Sequence, residues 1–530
     1  MATDSSSTDT AGTRPVKAVG TDNPWLVMAL AVLLSAAALY PVFSVDIPPL
    51  ADYPNHLARA HIIASIDASP ELRSNYQVNW PLSPYLAMDW IVSSLAGIMP
   101  VYEAGRLFVA LTLVTIVAGA LAVHLALFKR LSPWPLFVHL FLFNHLLAWG
   151  FLNFLFAVGL SLLALAAWIA TTRWPMWLRA ILFTAASVAI FFTHVFALGI
   201  YALTIAGLEL GRAWRARREK TPQIIVRDLV GGAAQFVAPI VLWLMAPMSM
   251  GDSAFRSGSL MRALVTPVIM YEEPLDGLIF AFVGFVLILG FWSRALRLAP
   301  PVGVPLAILA VTAVVLTLSP IGFWAEWRIP LALCLLLVAG TEFRPRGGKS
   351  ALIVLCGALV LYGARVVTTA ETWQRYDRHY AELRLASATI AKGARLLPVF
   401  HSQPFRMDRD VSTGSMSLIT IIERSVFVPM LFTDPALLPV QAAARNRFLD
   451  VPGVGHPHTE VASLLEGADP EREAEPSLRD ARGGSVYWAN WPEHFDYVLI
   501  THFSTGENPL PEHLEKVHEG SFFDIYKVIR

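Results

Sequence analysis

Long apolar stretches recur along this chain of 530 residues, and no other feature limits its fold as strongly. About 20 apolar residues in α-helical form cross the hydrocarbon core of a bilayer. The composition agrees, since only 15% of the residues are charged, against about 25% in soluble domains. We therefore expect a polytopic α-helical membrane protein with roughly eleven spans, at residues 24–44, 107–128, 133–149, 152–172, 176–193, 195–213, 230–248, 275–293, 302–320, 329–343 and 350–366.

Lysine and arginine residues predict the orientation, because cytoplasmic loops of membrane proteins carry an excess of them. Basic residues precede the first predicted span and follow the second, fourth, sixth, eighth and tenth. They are Arg14, Lys17, Lys129, Arg130, Arg173, Arg179, Arg212, Arg215, Arg217, Arg218, Lys220, Arg294, Arg297, Arg344, Arg346 and Lys349. All of them fall on one side, so we expect a cytoplasmic N-terminus. For a bacterial protein this places the chain in the inner membrane, with its outer loops in the periplasm.

The two ends of the chain differ in composition from the region between them. Residues 1–23 are rich in Ser, Thr, Ala and Gly, which predicts a disordered cytoplasmic tail before an uncleaved first helix. Residues 24–366 form the predicted transmembrane domain. Residues 367–530 predict a periplasmic α/β domain, with a helix over 370–394, strands at 396–400, 497–500 and 522–529, and a loop over 451–484.

Charge, cysteine content and motifs give no support to several classes of partner and site. The formal net charge is +0, which gives no reason to expect a nucleic-acid partner. Cys334 and Cys356 both lie inside apolar stretches, which favours buried small hydrophobic residues over a disulfide or a metal site. No nucleotide-binding, serine-hydrolase or zinc-protease motif is present.

The predicted outer loop at 45–106 carries the acidic residues of a candidate site. Asp46 and Asp52 directly follow the first span, where a carboxylate is costly unless it is solvated, paired or used. A short helix is predicted to begin at residue 53 or 54, so Asp52 would lie at its N-terminus. The helix dipole and free backbone N–H groups would keep Asp52 ionised there, and a simple N-cap is the alternative explanation of this residue.

The loop resembles part of a known superfamily. The segment Asp52–Arg59 (DYPNHLAR) and the start of the next span, Gly105–Phe108 (GRLF), resemble the GT-C integral-membrane glycosyltransferases, including protein mannosyltransferases and the aminoarabinose transferase of lipid A. In those families an acidic residue follows the first span, often as Asp-Glu. This chain departs from the pattern, because Tyr53 stands where the Glu would be and a Pro-Pro-Leu segment precedes the Asp at 48–50.

The resemblance implies transfer of a sugar from a polyprenyl-phosphate carrier to a glycan, lipid or protein acceptor at the outer membrane face. An acceptor hydroxyl needs a general base, and we expect Asp52 to supply it. Asp46 would orient the acceptor or help to hold a metal. Asp46, Asp52 and His56 together are the candidate ligands for a divalent cation, Mg or Mn, because both ions prefer oxygen-rich sites.

A lipid phosphate is already a good leaving group and needs neutralising charge more than a proton. The candidate donor-phosphate ligands are Arg59, Arg256, Arg262 and Arg328. For each arginine the alternative is an interfacial side chain that reaches water or lipid headgroups, and Arg328 has Glu326 as an alternative partner.

Three histidines, His56, His145 and His194, are expected to line the cavity, with an interfacial position as the alternative for His194. The competing functional hypothesis is a non-catalytic transporter or a scaffold protein for envelope glycan assembly. A transporter would more often place ionisable groups in mid-membrane, whereas the spans of this chain are nearly free of charge.

Overall fold

The computed structural model describes residues 23–217, 221–246, 258–271, 274–319, 324–345, 347–401, 414–450, 459–469, 486–502 and 508–530. Its first part is helical. The helices are α1 (Pro24–Phe43), α2 (Tyr53–Ser65), α3 (Pro70–Asn75), α4 (Ala87–Ala96), α5 (Val101–Phe128), α6 (His145–Trp149), α7 (Leu152–Ala170), α8 (Met176–Thr193), α9 (Val195–Ala216), α10 (Pro222–Ala234), α11 (Val237–Met245), α12 (Leu260–Val265), α13 (Pro274–Trp292), α14 (Gly303–Leu318), α15 (Ala325–Ala339) and α16 (Gly348–Ala386).

The predicted polytopic helical fold is confirmed. Within the described residues, nine helical segments are long and apolar enough to cross a membrane: α1, α5, α7, α8, α9, α10 with α11, α13, α14 and α16. The two other predicted spans correspond to shorter elements. One is a 3-10 helix, Trp134–Phe141, followed by α6, and the other is α15 with 15 residues. Of the predicted N-terminal tail, only Asn23 lies within the described residues, where it caps α1.

Close packing of α5 against α7 forms the centre of the bundle. A Cβ atom on Gly119 of α5 would lie 2.6 Å from the Cβ of Leu162, and one on Gly159 of α7 would lie 3.0 Å from the backbone nitrogen of Ile116. Both positions therefore require glycine, because a side chain would clash with the facing helix. In membranes, small residues of this kind let two helix backbones approach closely.

Helix α16 is 39 residues long and continues beyond its apolar half. The sequence predicted a span at 350–366 and a separate helix over 370–394, and the structure joins the two into one helix that ends at Ala386. Tyr376, Tyr380 and Leu383 in its polar half are buried. The proposed boundary between domains at residues 366 and 367 therefore lies within one continuous helix, and the division of the chain there stays a prediction.

The strands are β1 (Tyr76–Val78), β2 (Leu296–Leu298), β3 (Thr341–Phe343), β4 (Leu396–Phe400), β5 (Val440–Ala442), β6 (Thr459–Glu460), β7 (Tyr497–Thr501), β8 (Leu514–Glu519) and β9 (Phe523–Val528). Three short helices accompany the last six: α17 (Ile419–Arg424), α18 (Val461–Gly467) and α19 (Trp491–His494).

A five-stranded sheet in the order β6-β4-β7-β9-β8 forms the core of the C-terminal part. Strand β4 pairs in parallel with β6 and β7, while β9 is antiparallel to β7 and β8. The three predicted strands correspond to β4, β7 and β9. Helix α18 and strand β6 lie inside the predicted loop over 451–484, so that prediction is wrong for residues 459–467. The remainder of that stretch lies outside the described residues, apart from residues 468 and 469.

The C-terminal part holds the loop between α1 and α5 in place. Strand β1 of the loop pairs with β5, with Tyr76 opposite Ala442. In α2, the side chain of Asn55 accepts a hydrogen bond from the backbone N–H of Phe432 at 2.7 Å and donates one to the carbonyl of Met430 at 3.3 Å. Contacts with the C-terminal part of the chain therefore fix the position of helix α2. This helix begins directly after Asp52.

Candidate active site around Asp52

The backbone of Asp52 lies against the turn that joins α6 to α7. The N–H of Asp52 donates to the carbonyl of Trp149 at 3.0 Å, and the N–H of Ala51 donates to that of Ala148 at 2.9 Å. Gly150 has a φ of +81°, and a Cβ atom there would lie 3.1 Å from the Asp52 nitrogen. Glycine allows both the left-handed backbone and the close approach of the two segments, so this turn fixes the position of Asp52.

The side chain of Asp52 does not cap α2. Asp52 has helical backbone angles and makes no side-chain capping hydrogen bond. Burial raises the pKa of Asp52 to about 7, although the nearby guanidinium of Arg59 opposes this shift. The expectation that the helix N-terminus keeps Asp52 ionised is therefore wrong below about pH 7, because the loss of hydration outweighs the opposing charge of Arg59. The carboxylate is half-buried and has no hydrogen-bond partner among the described residues.

Arg59 and His56, on the next turns of α2, belong to one buried hydrogen-bond network. The Arg59 Nε donates to Asp89 Oδ1 at 3.0 Å, and its Nη2 lies 3.1 Å from Asp89 Oδ2. The same Nη2 lies 2.9 Å from Nδ1 of His56. The predicted phosphate-binding role of Arg59 stays a prediction, and in this structure its guanidinium contacts Asp89 of α4.

Burial and the adjacent Arg59 cation lower the pKa of His56 well below its ordinary value. The histidine is therefore neutral near pH 7. Because Nδ1 accepts a hydrogen bond from Arg59, the proton of the ring resides on Nε2. His56, one turn from Asp52, is half-buried and has an N–H donor available rather than a lone pair for a metal ion.

An aromatic cluster extends from Trp149, whose carbonyl accepts the hydrogen bond from the Asp52 N–H. We define it as His145, Trp149, Phe151, Trp324 and Trp327. The Trp327 ring centroid lies 5.4 Å from that of Trp149 and 4.7 Å from that of His145, and Trp149 Nε1 donates to His145 Nε2 at 3.0 Å. His145, which was predicted to line the cavity, thus belongs to the cluster. It is connected to Asp52 by way of Trp149, which is hydrogen-bonded to both residues.

Two of the predicted cations lie at the edges of this aromatic cluster. The Cζ atom of the exposed Arg262 is 5.9 Å from the Trp327 ring centroid. The Cζ atom of Arg328 is 5.1 Å from the Phe151 ring and 5.9 Å from that of Phe154. Arg256, the fourth predicted phosphate ligand, lies outside the described residues.

His194 packs at the junction of α8 and α9. Its ring lies 5.0 Å from that of Tyr85 and 5.3 Å from that of Phe154, which also contacts Arg328. The Nδ1 atom accepts a hydrogen bond from the Phe196 N–H at 3.1 Å and so caps α9. His194 is therefore buried within the protein, on the Arg328 side of the aromatic cluster.

Asp46 has a different environment from Asp52. Its side chain is 61% exposed, and its Oδ2 accepts a hydrogen bond from Arg384 of α16 at 3.0 Å. Among the described residues, no three His, Cys, Asp or Glu side chains come together in a way that could hold a metal ion. The structure therefore does not assemble Asp46, Asp52 and His56 as a ligand set.

Several residues of the site escaped the sequence analysis. Asp89 and Gly150 were not selected, and neither was Tyr85 or Trp327. A signal existed for Asp89, since it is an isolated acidic residue in an apolar helix, where a buried carboxylate needs a cationic partner. Nothing in the sequence pairs it with Arg59 in particular.

Comparison with solved structures gives a match over nearly the whole chain. The crystal structure of ArnT from Cupriavidus metallidurans in the apo state matches with a TM-score of 0.51 and 12% identity, covering 94% of this chain and 98% of that one. The chain therefore has a fold like that of ArnT. ArnT from the same organism bound to undecaprenyl phosphate matches with a TM-score of 0.49 and 11% identity, covering 96% and 98%. Neither protein-family models nor curated proteins give a match.

Proposed function

We propose that this protein is a GT-C-type glycosyltransferase of the inner membrane, with a cytoplasmic N-terminus. It moves a sugar from a polyprenyl-phosphate carrier to an acceptor hydroxyl at the outer face, with Asp52 as the general base. The observation that carries the proposal is the carboxylate of Asp52. It is half-buried, it has no partner among the described residues, and its pKa is raised to about 7.

A base is most effective when its pKa is close to the working pH, because it is then both deprotonated and able to hold a proton. Asp52 meets this condition. It takes the proton of the acceptor hydroxyl as the oxygen attacks the anomeric carbon and the bond from that carbon to the carrier phosphate breaks. The acceptor is a glycan, a lipid or a protein.

The donor phosphate carries negative charge that grows as the sugar leaves. Arg262 and Arg328 supply cations at the two edges of the aromatic cluster, and Arg256 is a third candidate. The guanidinium group suits this role, since it stays charged and matches the geometry of phosphate oxygens. The aromatic faces between them provide an apolar surface for the sugar ring and the first isoprene units.

Arg59 and His56 position the base rather than react. Their network with Asp89 fixes the turns of α2 that follow Asp52, and the positive charge of Arg59 limits the rise in the pKa of Asp52. A divalent cation, Mg or Mn, is a further part of the hypothesis, and its ligands would have to include groups other than the predicted three. The ArnT-like fold and the resemblance of the Asp52–Arg59 segment both agree with the proposal.

The test uses the purified full-length protein in nanodiscs with undecaprenyl phosphates that carry labelled glucose, mannose, galactose or aminoarabinose. Release of sugar from the carrier, to water or to added lipid and glycan acceptors, measures turnover. For Asp52→Asn we expect turnover at least about 10²-fold lower. The exposed acid Asp67, two residues after the end of α2, gives a matched control, and Asp67→Asn should retain wild-type turnover.

Size-exclusion chromatography and thermal unfolding show whether each variant is folded. A wild-type protein that neither binds nor turns over any of these donors would contradict the enzymatic proposal. A folded Asp52→Asn variant with unchanged turnover would contradict the role of Asp52 while leaving the enzyme class in place.

A further inference from the structure

A polar cavity lies at the other end of the bundle from Asp52. It has a volume of about 450 Å³ and is lined by residues from the α7–α8 loop and from α8, α9 and α10, so we call it the α8–α10 cavity. Helix α7 begins next to Asp52 at Leu152 and ends beside this cavity at Ala170. The cavity is therefore on the opposite membrane face, the one predicted to be cytoplasmic.

The charged residues of the α8–α10 cavity are three arginines and two acids: Arg179, Arg212, Arg227, Glu209 and Asp228. Two of the arginines have acidic partners. Arg212 contacts Glu209 at 2.6 Å, and Arg227 contacts Asp228 at 3.1 Å. Arg179 forms no ion pair with a described residue, so the cavity has an excess of positive charge.

Two contacts with Trp168 hold Arg179 in this position. Its Cζ atom lies 3.6 Å from the ring centroid of Trp168, and its Nη2 donates to the Trp168 carbonyl at 3.1 Å. The residue is only 4% exposed, and its Nε is a buried donor without a partner among the described residues. A buried donor of a charged group that lacks an acceptor is costly, which points to an anionic ligand.

Tryptophans place the cavity at the depth of lipid headgroups. Trp174, which lines it, is 48% exposed, and Trp177 and Trp214 on the adjoining ends of α8 and α9 are 65% and 67% exposed. Exposed tryptophans concentrate at membrane–water interfaces. Phosphates of lipid headgroups lie at this depth, which makes them the anions best placed to reach Arg179.

We propose that the α8–α10 cavity binds the phosphate of an anionic lipid headgroup at the membrane face opposite Asp52. Arg179 donates to the phosphate from the closed end of the cavity. Arg212 and Arg227 share their charge between the phosphate and their acidic neighbours. The proposal is independent of the activity at Asp52, and it gives the protein a lipid-dependent contact between α8, α9 and α10.

Native mass spectrometry of the full-length protein in detergent, titrated with phosphatidylglycerol or phosphatidylcholine, tests the proposal. We expect the wild type to bind phosphatidylglycerol at least about tenfold more tightly than phosphatidylcholine. Arg179→Gln should reduce that affinity about tenfold, which is the effect of losing one charge-assisted hydrogen bond. The exposed Arg297 on the same face does not line the cavity, so Arg297→Gln serves as the control.

Arg227→Gln removes a more exposed cation of the cavity and keeps the test decisive if Arg179→Gln does not fold. It should lower the affinity for phosphatidylglycerol, although by less than Arg179→Gln. Equal binding of the two lipids, or cavity variants that bind like Arg297→Gln, would overturn the proposal. A parallel titration with inorganic phosphate distinguishes a soluble ligand. Arginine-dependent binding of inorganic phosphate without phosphatidylglycerol binding would overturn the assignment to a lipid.

Discussion

Arg59 of α2 and Asp89 of α4 form a doubly hydrogen-bonded ion pair, with 1% and 0% of their side chains exposed. The pair joins the two short helices of the loop that carries Asp52. A buried pair of charges contributes little net stability, yet removal of one member leaves the other uncompensated. Its main effect here is to fix the orientation of α2, and with it His56 and Asp52.

Removal of one charge from this pair should therefore destabilise the fold strongly. We expect Arg59→Gln or Asp89→Asn to lower the free energy of unfolding by about 3–5 kcal/mol. Chemical unfolding in detergent, followed by circular dichroism, measures the change. The control is Glu519→Gln, which breaks the pair with Lys516 on the exposed strand β8 and should cost less than about 1 kcal/mol. Equal effects at the two sites would contradict the structural role of the Arg59–Asp89 pair.

Gly150 offers a test of how Asp52 is placed. Alanine at this position would need a φ of +81°, and its Cβ would lie 3.3 Å from the Asp52 Cβ. We expect Gly150→Ala to destabilise the fold by about 1–2 kcal/mol and to lower donor turnover by displacing Asp52. Gly199→Ala is the matched control, because nothing lies within 4 Å of its added Cβ and alanine favours the α9 helix. A fully active Gly150→Ala enzyme would show that the turn does not position the base.

The two arginines at the aromatic cluster should act mainly on the donor. We expect Arg262→Gln and Arg328→Gln to raise KM for a polyprenyl-phosphate sugar about tenfold each, as expected for the loss of one charge-assisted hydrogen bond. Steady-state kinetics with varied donor concentration measures this effect. The exposed Lys392, in the C-terminal part, provides the control for lost positive charge. If Lys392→Gln raised KM as much, the effect would be one of overall charge and not of a phosphate site.

The raised pKa of Asp52 predicts a pH-dependent effect on stability. The carboxyl binds its proton more tightly in the folded state, with a pKa of about 7, than in the unfolded state, with a pKa of about 3.9. Its contribution to stability is therefore present below about pH 4 and is lost as the pH rises through 7. Asparagine cannot ionise, so the Tm of Asp52→Asn relative to wild type should be higher at pH 8 than at pH 5.

Thermal unfolding across that pH range measures the difference in Tm, and Asp67→Asn is again the control, since Asp67 is exposed. A Tm difference for Asp52→Asn that stays constant with pH would contradict the raised pKa.

Much of the fold could be predicted from the sequence, because apolar length is a direct physical requirement of a membrane span. Strand β4 could also be predicted, because it is a short apolar segment, and its five residues are all buried in the structure. The continuity of α16 was missed because the composition changes from apolar to polar within the helix. The helical hydrogen bonds continue through such a change, and the aromatic residues Tyr376 and Tyr380 of the polar half are still buried.

The candidate site was predicted less completely. Asp52 could be found because an acidic residue shortly after a span requires an explanation. The raised pKa of its carboxyl group could not be predicted, because it depends on burial in the folded protein, where even the turn at Gly150 beside Asp52 is more than 90 residues away in the chain. The contact of Arg59 with Asp89 and that of Asp46 with Arg384 likewise depend on how separate helices pack. A linear pattern of charges does not reveal which partner each one meets.

The most direct test of the role of Asp52 is the pH dependence of kcat/KM for the best undecaprenyl-phosphate sugar, measured from pH 5 to 9. If Asp52 is the base, kcat/KM should fall about tenfold per pH unit below an apparent pKa near 7 and level off above it. Asp52→Asn should abolish this acidic limb of the pH profile together with nearly all of the activity. A wild-type profile that is flat between pH 5 and 8, or the same limb in a still active Asp52→Asn enzyme, would contradict the account.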